Sequence, residues 1–353
     1  MERGLVATVR IPDRPGNPRR DIGQNRHVEA GARHSSPRIV AFGGGTGLPV
    51  LLRGLRGAVD DITAVVTVAD DGGSSGRLRA ELGVSPPGDI RNCLIALAGR
   101  QRLAEVFEHR FGGGAELRDH SVGNLIIAAL AEMSGGFCEG VEQAGRFLRI
   151  TGRVLPAATE SLTLLVRYAD GSTSRGESTI RERGRAVESV TVDPPGVAAP
   201  DAVLEAIRMT DVVVLGAGSL FTSTIAALLG GGVREALADF AGPVVYVSNL
   251  MTQPGETQGF TASDHVRAIT RHVGPVVTDV LVDSTPLPDR LRHRYELEGA
   301  VPVHVDREAL AALGVRLHEL ELQDETAAGQ LRHDPGRLAR AIVALAPAAG
   351  AVR

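Results

Sequence analysis

The chain has 353 residues, and its 42 acidic side chains against 38 basic ones leave a formal net charge of −4. Every one of the 38 is arginine, with no lysine and no tryptophan anywhere and aromatic residues at only 3 %. These facts exclude a P-loop lysine, a kinase-type strand lysine and a Schiff-base lysine, so any bound phosphate must be met by arginine, backbone N–H groups, a helix N-terminus or a metal ion.

In chain order, residues 1–37 carry seven arginines and four acids without periodicity, and are expected to form a disordered tail. From Arg38 onward, residues 38–353 predict one α/β domain, a Rossmann-like doubly wound and mostly parallel sheet. Arg38–Phe42 predicts a strand, Gly43–Gly47 a tight loop, and Leu48 the start of an amphipathic helix. A second strand follows at Ile62–Val68, and helical spacing dominates from Asp89 to about Ile150. The period changes to two over residues 154–192, around a turn at Asp170–Gly171, which predicts a small antiparallel β insert. The strand–helix alternation resumes with Val212–Leu215, Val244–Val247 and Val276–Val282, and a last helix covers Pro335 to Leu345.

Cys93 and Cys138 stand 45 positions apart and form no CxxC, which fits a reducing cytoplasm rather than a zinc site or a disulfide framework. No apolar run approaches the roughly 20 residues of a membrane helix, and no signal peptide is visible. The acidic balance and scarce rings argue against nucleic acid as a partner.

Ligands of doubly wound sheets bind at the C-terminal strand ends near the switch point, and four loops there carry candidate chemistry. Gly43, Gly44, Gly45, Thr46 and Gly47 allow close backbone approach ahead of a helix N-terminus, the features of an anion site. Asp70 and Asp71 form an adjacent carboxylate pair suited to Mg²⁺, the only cofactor anticipated, and Ser74 and Ser75 follow as phosphate contacts or caps. Gly72–Gly76 also fits G-x-S-x-G with Ser74 as a nucleophile and Asp264-His265 downstream, although two carboxylates beside the serine oppose a developing oxyanion.

A third loop with Gly216, Gly218 and Ser219 repeats the first one's logic, so the pair fits a ligand with two anionic or polar ends. In the fourth, Ser248 and Asn249 offer hydrogen-bonding groups to a base or sugar. Asp89 reads as an N-cap after Pro86-Pro87-Gly88, with Arg91 and Asn92 in the first turn, while His120 and Asn124 open another helix. No His spacing suits zinc.

Taken together, the strings VAFGGGTGLPVLLRGLR, DITAVVTVADDGGSSGRLRAELGVSPPGDIRNCLIALA, HSVGNLIIAAL, RVLPA, GAGSLFTS, VSNLMTQPGETQGFTASDHVRAI, YELEGAVPV and LRHD resemble the gluconeogenesis-factor family (YvcK type) of the CofD-like superfamily. The resemblance runs from Arg38 to about Leu345. It implies a cytoplasmic regulatory protein that binds UDP-sugars such as UDP-N-acetylglucosamine and links carbon metabolism to cell shape and the cell wall during gluconeogenic growth. Cell-wall regulatory proteins are the implied partners, and a homo-oligomer is left open. The superfamily's enzymatic branch implies the alternative, a Mg²⁺-dependent transferase of the 2-phospho-L-lactate type acting on a dinucleotide-like donor.

Within that resemblance, Tyr295 and Arg332 fall in the UDP-sugar blocks, where a ring stacks on a base and a guanidinium grips pyrophosphate. The family usually has Pro at Ala217, Tyr at Phe221 and often Cys at Ser248. Asp119 stands where glycine is usual, and would favour protonated His120 if the two side chains meet. A nicotinamide oxidoreductase is the third alternative, weakened by the incomplete dinucleotide fingerprints.

Overall fold

The computed structural model describes residues 36–114 and 117–347. Met1–Ser35, most of the tail expected to be disordered, lies outside them. Twelve strands occur among the described residues: β1 (Ile39–Gly43), β2 (Ile62–Val66), β3 (Arg153–Pro156), β4 (Thr163–Tyr168), β5 (Thr173–Arg175), β6 (Val187–Asp193), β7 (Val212–Gly216), β8 (Val244–Val247), β9 (Asp279–Asp283), β10 (Arg316–Leu320), β11 (Gln323–Glu325) and β12 (Leu331–His333).

Seven of them form one sheet in the order β10-β9-β8-β7-β1-β2-β3, and every pairing in it is parallel. The chain steps outward from β1 to β3, returns, and then runs from β7 to β10, so the order reverses between β1 and β7. That crevice is where a doubly wound sheet presents its ligand site. The central strands are apolar at consecutive positions because both faces are covered: β1, β2, β7 and β8 are buried throughout.

Alternation divides β1 between two cores. Ile39 and Ala41 pack with the helices Gly47–Leu55, Gly88–Leu97 and Pro335–Leu345, while Val40 and Phe42 pack with Val203, Ile207, Val266 and Ile269 on the other face. The last helix begins as its sequence predicts, with Pro335 in the first turn and Asp334 accepting from the Arg337 N–H at 2.7 Å.

The antiparallel excursion is the three-stranded sheet β5-β4-β6, whose apolar side (Leu164, Val166, Tyr168, Val190) joins the second core. Val154, where the period-two stretch begins, belongs instead to β3 and pairs in parallel with Ala64 of β2. An edge strand exposed on one face alternates just as a hairpin strand does, so periodicity could not separate the two. The last expected strand is likewise shifted, starting at Asp279 rather than Val276.

Candidate functional site

The loops after β1 and β7 touch each other at the switch point. A Cβ on Gly47 would lie 1.7 Å from the Ala217 carbonyl oxygen, and one on Gly218 would lie 3.1 Å from that of Gly44. Part of the glycine richness therefore serves loop-on-loop packing. Gly45 has a different reason: its φ of 60° lies in the left-handed region. Gly216 is left-handed too, at φ 104°.

Asp89 occupies the first loop from below. Its carboxylate accepts the Gly45 N–H at 2.7 Å, and a Cβ on Gly44 would meet its Oδ2 at 2.6 Å. The helix here spans Gly88–Leu97 with Pro87 as its N-cap, so Asp89 is a site residue and not the cap its sequence position suggests. Burial pushes the Asp89 carboxyl up to about 6; the Gly45 hydrogen bond opposes this and the charge of Asp70 adds to it.

The acidic pair separates. Asp70 Oδ1 accepts the Gly72 N–H at 2.9 Å, and its Oδ2 lies 3.2 Å from where a Cβ on Gly88 would stand, on the Asp89 side. Asp71 faces the β insert, accepting the Ser178 N–H at 3.0 Å. Adjacent residues leaving a strand point apart, so the two carboxylates expected to share a metal do not converge. The charge of Asp70 bears instead on Asp89, and two carboxylates with water and phosphate oxygens completing the shell would suit Mg²⁺.

Beside them lies a buried polar network. Ser74 Oγ meets His120 Nδ1 at 3.1 Å and accepts from Asn124 Nδ2 at 3.0 Å. Arg91 donates to Asn124 Oδ1 at 3.1 Å, to Asn92 Oδ1 at 2.7 Å and to the Ser121 hydroxyl. Ser75 accepts the Gly88 N–H at 3.1 Å and ties the acidic loop to the Pro86–Gly88 turn. Burial lowers the Arg91 guanidinium to about 10. His120 is lowered as well, first by burial and then by Arg77, with Glu81 and Asp119 acting in the opposite sense.

The nucleophile-elbow alternative loses its histidine. His265 is fully buried, bonds the Thr261 carbonyl through Nδ1 at 2.8 Å and stacks on Tyr246 at 6.1 Å.

On the β7–β8 side of the first loop opens a cavity of about 370 Å³. Thr46, Gly47, Asn249, Tyr295 and Arg332, five candidates from four separate stretches of sequence, all line it. Asn249 is fixed by donating to the Gly218 carbonyl at 2.9 Å and accepting from the Tyr246 hydroxyl at 3.3 Å. Tyr295 accepts the Leu331 N–H at 2.9 Å, and the Arg294 guanidinium lies 5.6 Å from its ring centre. His333, pushed down to about 4 by burial, supplies a neutral wall. Ser248 lines an adjoining cavity of about 160 Å³ with Asn249, Asp283 and Arg292.

The third loop is closed. Glu256, 3 % exposed, accepts from the Phe221 N–H at 2.7 Å and the Thr222 N–H at 3.1 Å, occupying the start of the π-helical turn Leu220–Ile225 with the protein's own anion. Gln253 donates to Ser219 Oγ at 2.9 Å. Gly216, Gly218 and Ser219 thus support the site without lining the cavity, contrary to the two-ended ligand inferred from the repeated glycines.

Residues 39–323 match the family described as 2-phospho-L-lactate transferase CofD. The gluconeogenesis factor of Bacillus subtilis (strain 168) is 44 % identical over 314 residues, 88 % of this chain and 98 % of that one. The chain belongs to the gluconeogenesis-factor family of the CofD-like superfamily. The gluconeogenesis factor of Halalkalibacterium halodurans is 45 % identical over 310 residues, 86 % of this chain and 95 % of that one. A crystal structure of a Bacillus halodurans protein, 44 % identical, superposes with a TM-score of 0.85 and covers 88 % of this chain and 100 % of its own.

Ala217 stands at φ 72°, a left-handed value that a proline ring does not permit. Asp89, Arg91, Glu256 and Gln253 are site residues that sequence reasoning did not select. The signal available was a charged or amide side chain beside Pro-Gly turns, which turn chemistry explains equally well. Among the described residues no helix is long and apolar enough to cross a membrane, and no group of three or more His, Cys, Asp or Glu could hold a metal.

Proposed function

We propose that the protein is a gluconeogenesis factor that binds a UDP-sugar of the UDP-N-acetylglucosamine type, with little or no turnover. The convergence of Thr46, Gly47, Asn249, Tyr295 and Arg332 on one cavity at the switch point carries this reading. Its volume of about 370 Å³ is in the range of small-molecule sites. The first amides of the helix Gly47–Leu55 have no intrahelical acceptors and suit the diphosphate, together with Arg332. Tyr295 offers a face to the base and Asn249 a polar edge to the base or sugar. In the cytoplasm, such a sensor would report nucleotide-sugar supply to cell-wall regulatory proteins and maintain cell shape during gluconeogenic growth.

Calorimetric titration with UDP-N-acetylglucosamine tests this: Arg332→Gln should weaken binding by about 10- to 100-fold, the loss of one charge-assisted contact. Recovery of intact ligand confirms a binder, whereas no heat from the wild-type protein refutes the assignment.

A second function has its own support. Asp89 holds the glycine loop through Gly45 and feels the charge of Asp70, a pair of carboxylates that would suit Mg²⁺ as in the transferase branch. The ion would neutralise phosphate charge there. Release of a nucleoside phosphate that requires Mg²⁺ and disappears in Asp70→Asn would establish the transferase.

A further inference from the structure

The smaller cavity, of about 160 Å³, sits where β8 and β9 end, further along the sheet from the switch point than the large one. Sites that hold a whole small molecule start at about 300 Å³, so this one has room for a fragment. Asn249, Leu250, Met251 and Leu331 line both cavities and form their shared wall.

The polar groups of the small cavity are fixed from behind. β9 ends on Asp283, and after β10 the chain turns back so that the Leu322 and Gln323 amides donate to Asp283 Oδ1 at 2.7 and 3.0 Å. The Thr285 hydroxyl donates to the same atom at 2.8 Å. Three donors on one oxygen immobilise the carboxylate, and among the described residues Oδ2 has no hydrogen-bond partner. Gln323 is divided in the same way. Its Nε2 donates to the Pro286 carbonyl at 3.2 Å, while Oε1 has no partner among the described residues. Arg292 adds a donor fork, its Nε 4.0 Å from the exposed Asp289 and so beyond hydrogen-bond reach of it.

This set is two positioned acceptors facing one cationic donor. A phosphate accepts only, so it would be repelled by Asp283 and find no proton for Gln323 Oε1. Sugar hydroxyls both donate and accept, and an acetamido N–H donates. Leu287, Val303 and Val305 complete the cavity with apolar surface, against which the C–H face of a pyranose ring or an acetyl methyl can pack.

Building on the UDP-sugar function above, we propose that the small cavity is the sugar subsite and that Asp283 and Gln323 determine which sugar is accepted. Asp283 Oδ2 takes a ring hydroxyl and Gln323 Oε1 takes the acetamido N–H. The diphosphate stays with Arg332, next to the shared wall residue Leu331, and the base stays with Tyr295 in the large cavity. The uncharged end of the ligand thus enters the compartment whose acceptors exclude its charged middle.

The test is calorimetry with UDP-N-acetylglucosamine, UDP-glucose and UDP on wild type, Asp283→Asn and Gln323→Leu. Asparagine keeps an oxygen for the Leu322 and Gln323 amides and replaces Oδ2 by a donor. Asp283→Asn should weaken both UDP-sugars by about 10-fold and leave UDP within about twofold of wild type. Gln323→Leu should lower the preference for UDP-N-acetylglucosamine over UDP-glucose by about 5- to 10-fold, and it decides the matter alone if Asp283→Asn does not fold. Wild-type affinity for the UDP-sugars in either variant overturns the subsite. So does an equal loss on UDP, which would put the ribose in the small cavity. Wild-type protein that binds UDP as tightly as UDP-N-acetylglucosamine also overturns it, while the UDP-sugar function stands; wild-type protein that binds neither refutes both.

Discussion

The loops after β1 and β7 look alike in sequence and do opposite things. Each follows a fully buried apolar strand and each carries several glycines. The first leaves its helix start on the cavity wall through Thr46 and Gly47. In the third, Glu256 takes the Phe221 and Thr222 amides, and Asn249 and Gln253 tie down Gly218 and Ser219. Glycine reports that something approaches the backbone closely, but not what. At Gly47 the approaching group is the other loop's carbonyl; at Gly44 it is the carboxylate of Asp89.

The contrast can be broken at four positions. The largest effect is expected from Gly47→Ala, whose Cβ would stand 1.7 Å from the Ala217 carbonyl oxygen. Both groups are backbone, so the loops must part, at a cost above about 4 kcal/mol. A melting temperature lower by more than about 10 °C, or insoluble protein, is the expected outcome.

Glu256→Leu comes next. It leaves two buried amides without their acceptor, a loss of about 3 kcal/mol in denaturant unfolding, whereas Glu256→Gln retains an oxygen and loses about 1 kcal/mol.

Asp89→Asn acts in the other direction. A carboxyl raised from 3.8 to about 6 in the folded state favours the protonated form, so folding is penalised as pH rises from about 4 through 6 and fully penalised above. The amide avoids the penalty. Its variant should be more stable than wild type at pH 7.5 by about 2 kcal/mol, allowing for solvent at the edge of the site. That advantage should vanish at pH 4 and shrink when Mg²⁺ is added at pH 7.5. Equal melting temperatures at pH 7.5 would show that Asp89 is not strained by its place in the loop.

Gly45→Ala should matter least. Its Cβ meets only the Ser223 hydroxyl, at 3.2 Å, and the left-handed φ costs about 1 kcal/mol. A melting temperature lower by more than about 5 °C would mean that this loop is packed as tightly as at Gly47.

The parallel sheet was legible because its strands are continuous apolar runs, VVVL and VVYV among them, each followed by a polar or glycine-rich loop. Tyr295 and Arg332 were legible as cavity residues because whole blocks carried a resemblance, and Asn249 because its loop is rich in hydrogen-bonding groups. Composition alone would have made Arg332 a surface charge. What escaped was direction. The pair Asp70-Asp71 reads as one unit, yet successive side chains leave an extended segment on opposite sides, and the partner of Asp70 lies nearly twenty residues on, at Asp89. Glu256 escaped because a buried acid and a surface acid look the same in a turn-rich stretch, and only the fold brings its carboxylate to the amides after β7.

The network beside the acidic loop has a polarity that starts from a group with no acceptor. A guanidinium only donates, so Arg91 fixes which end of the Asn124 amide faces it and turns the NH₂ toward Ser74. The Ser74 hydroxyl takes the Asn124 NH₂ on one lone pair, and its proton and second lone pair remain on the side of His120 Nδ1. One permanently charged side chain thereby orients an amide and, through it, the hydroxyl that meets a histidine two residues removed along the relay. A nitrogen-15 shift of His120 that changes in Asn124→Ala but not with pH between 6 and 8 would register that fixed orientation.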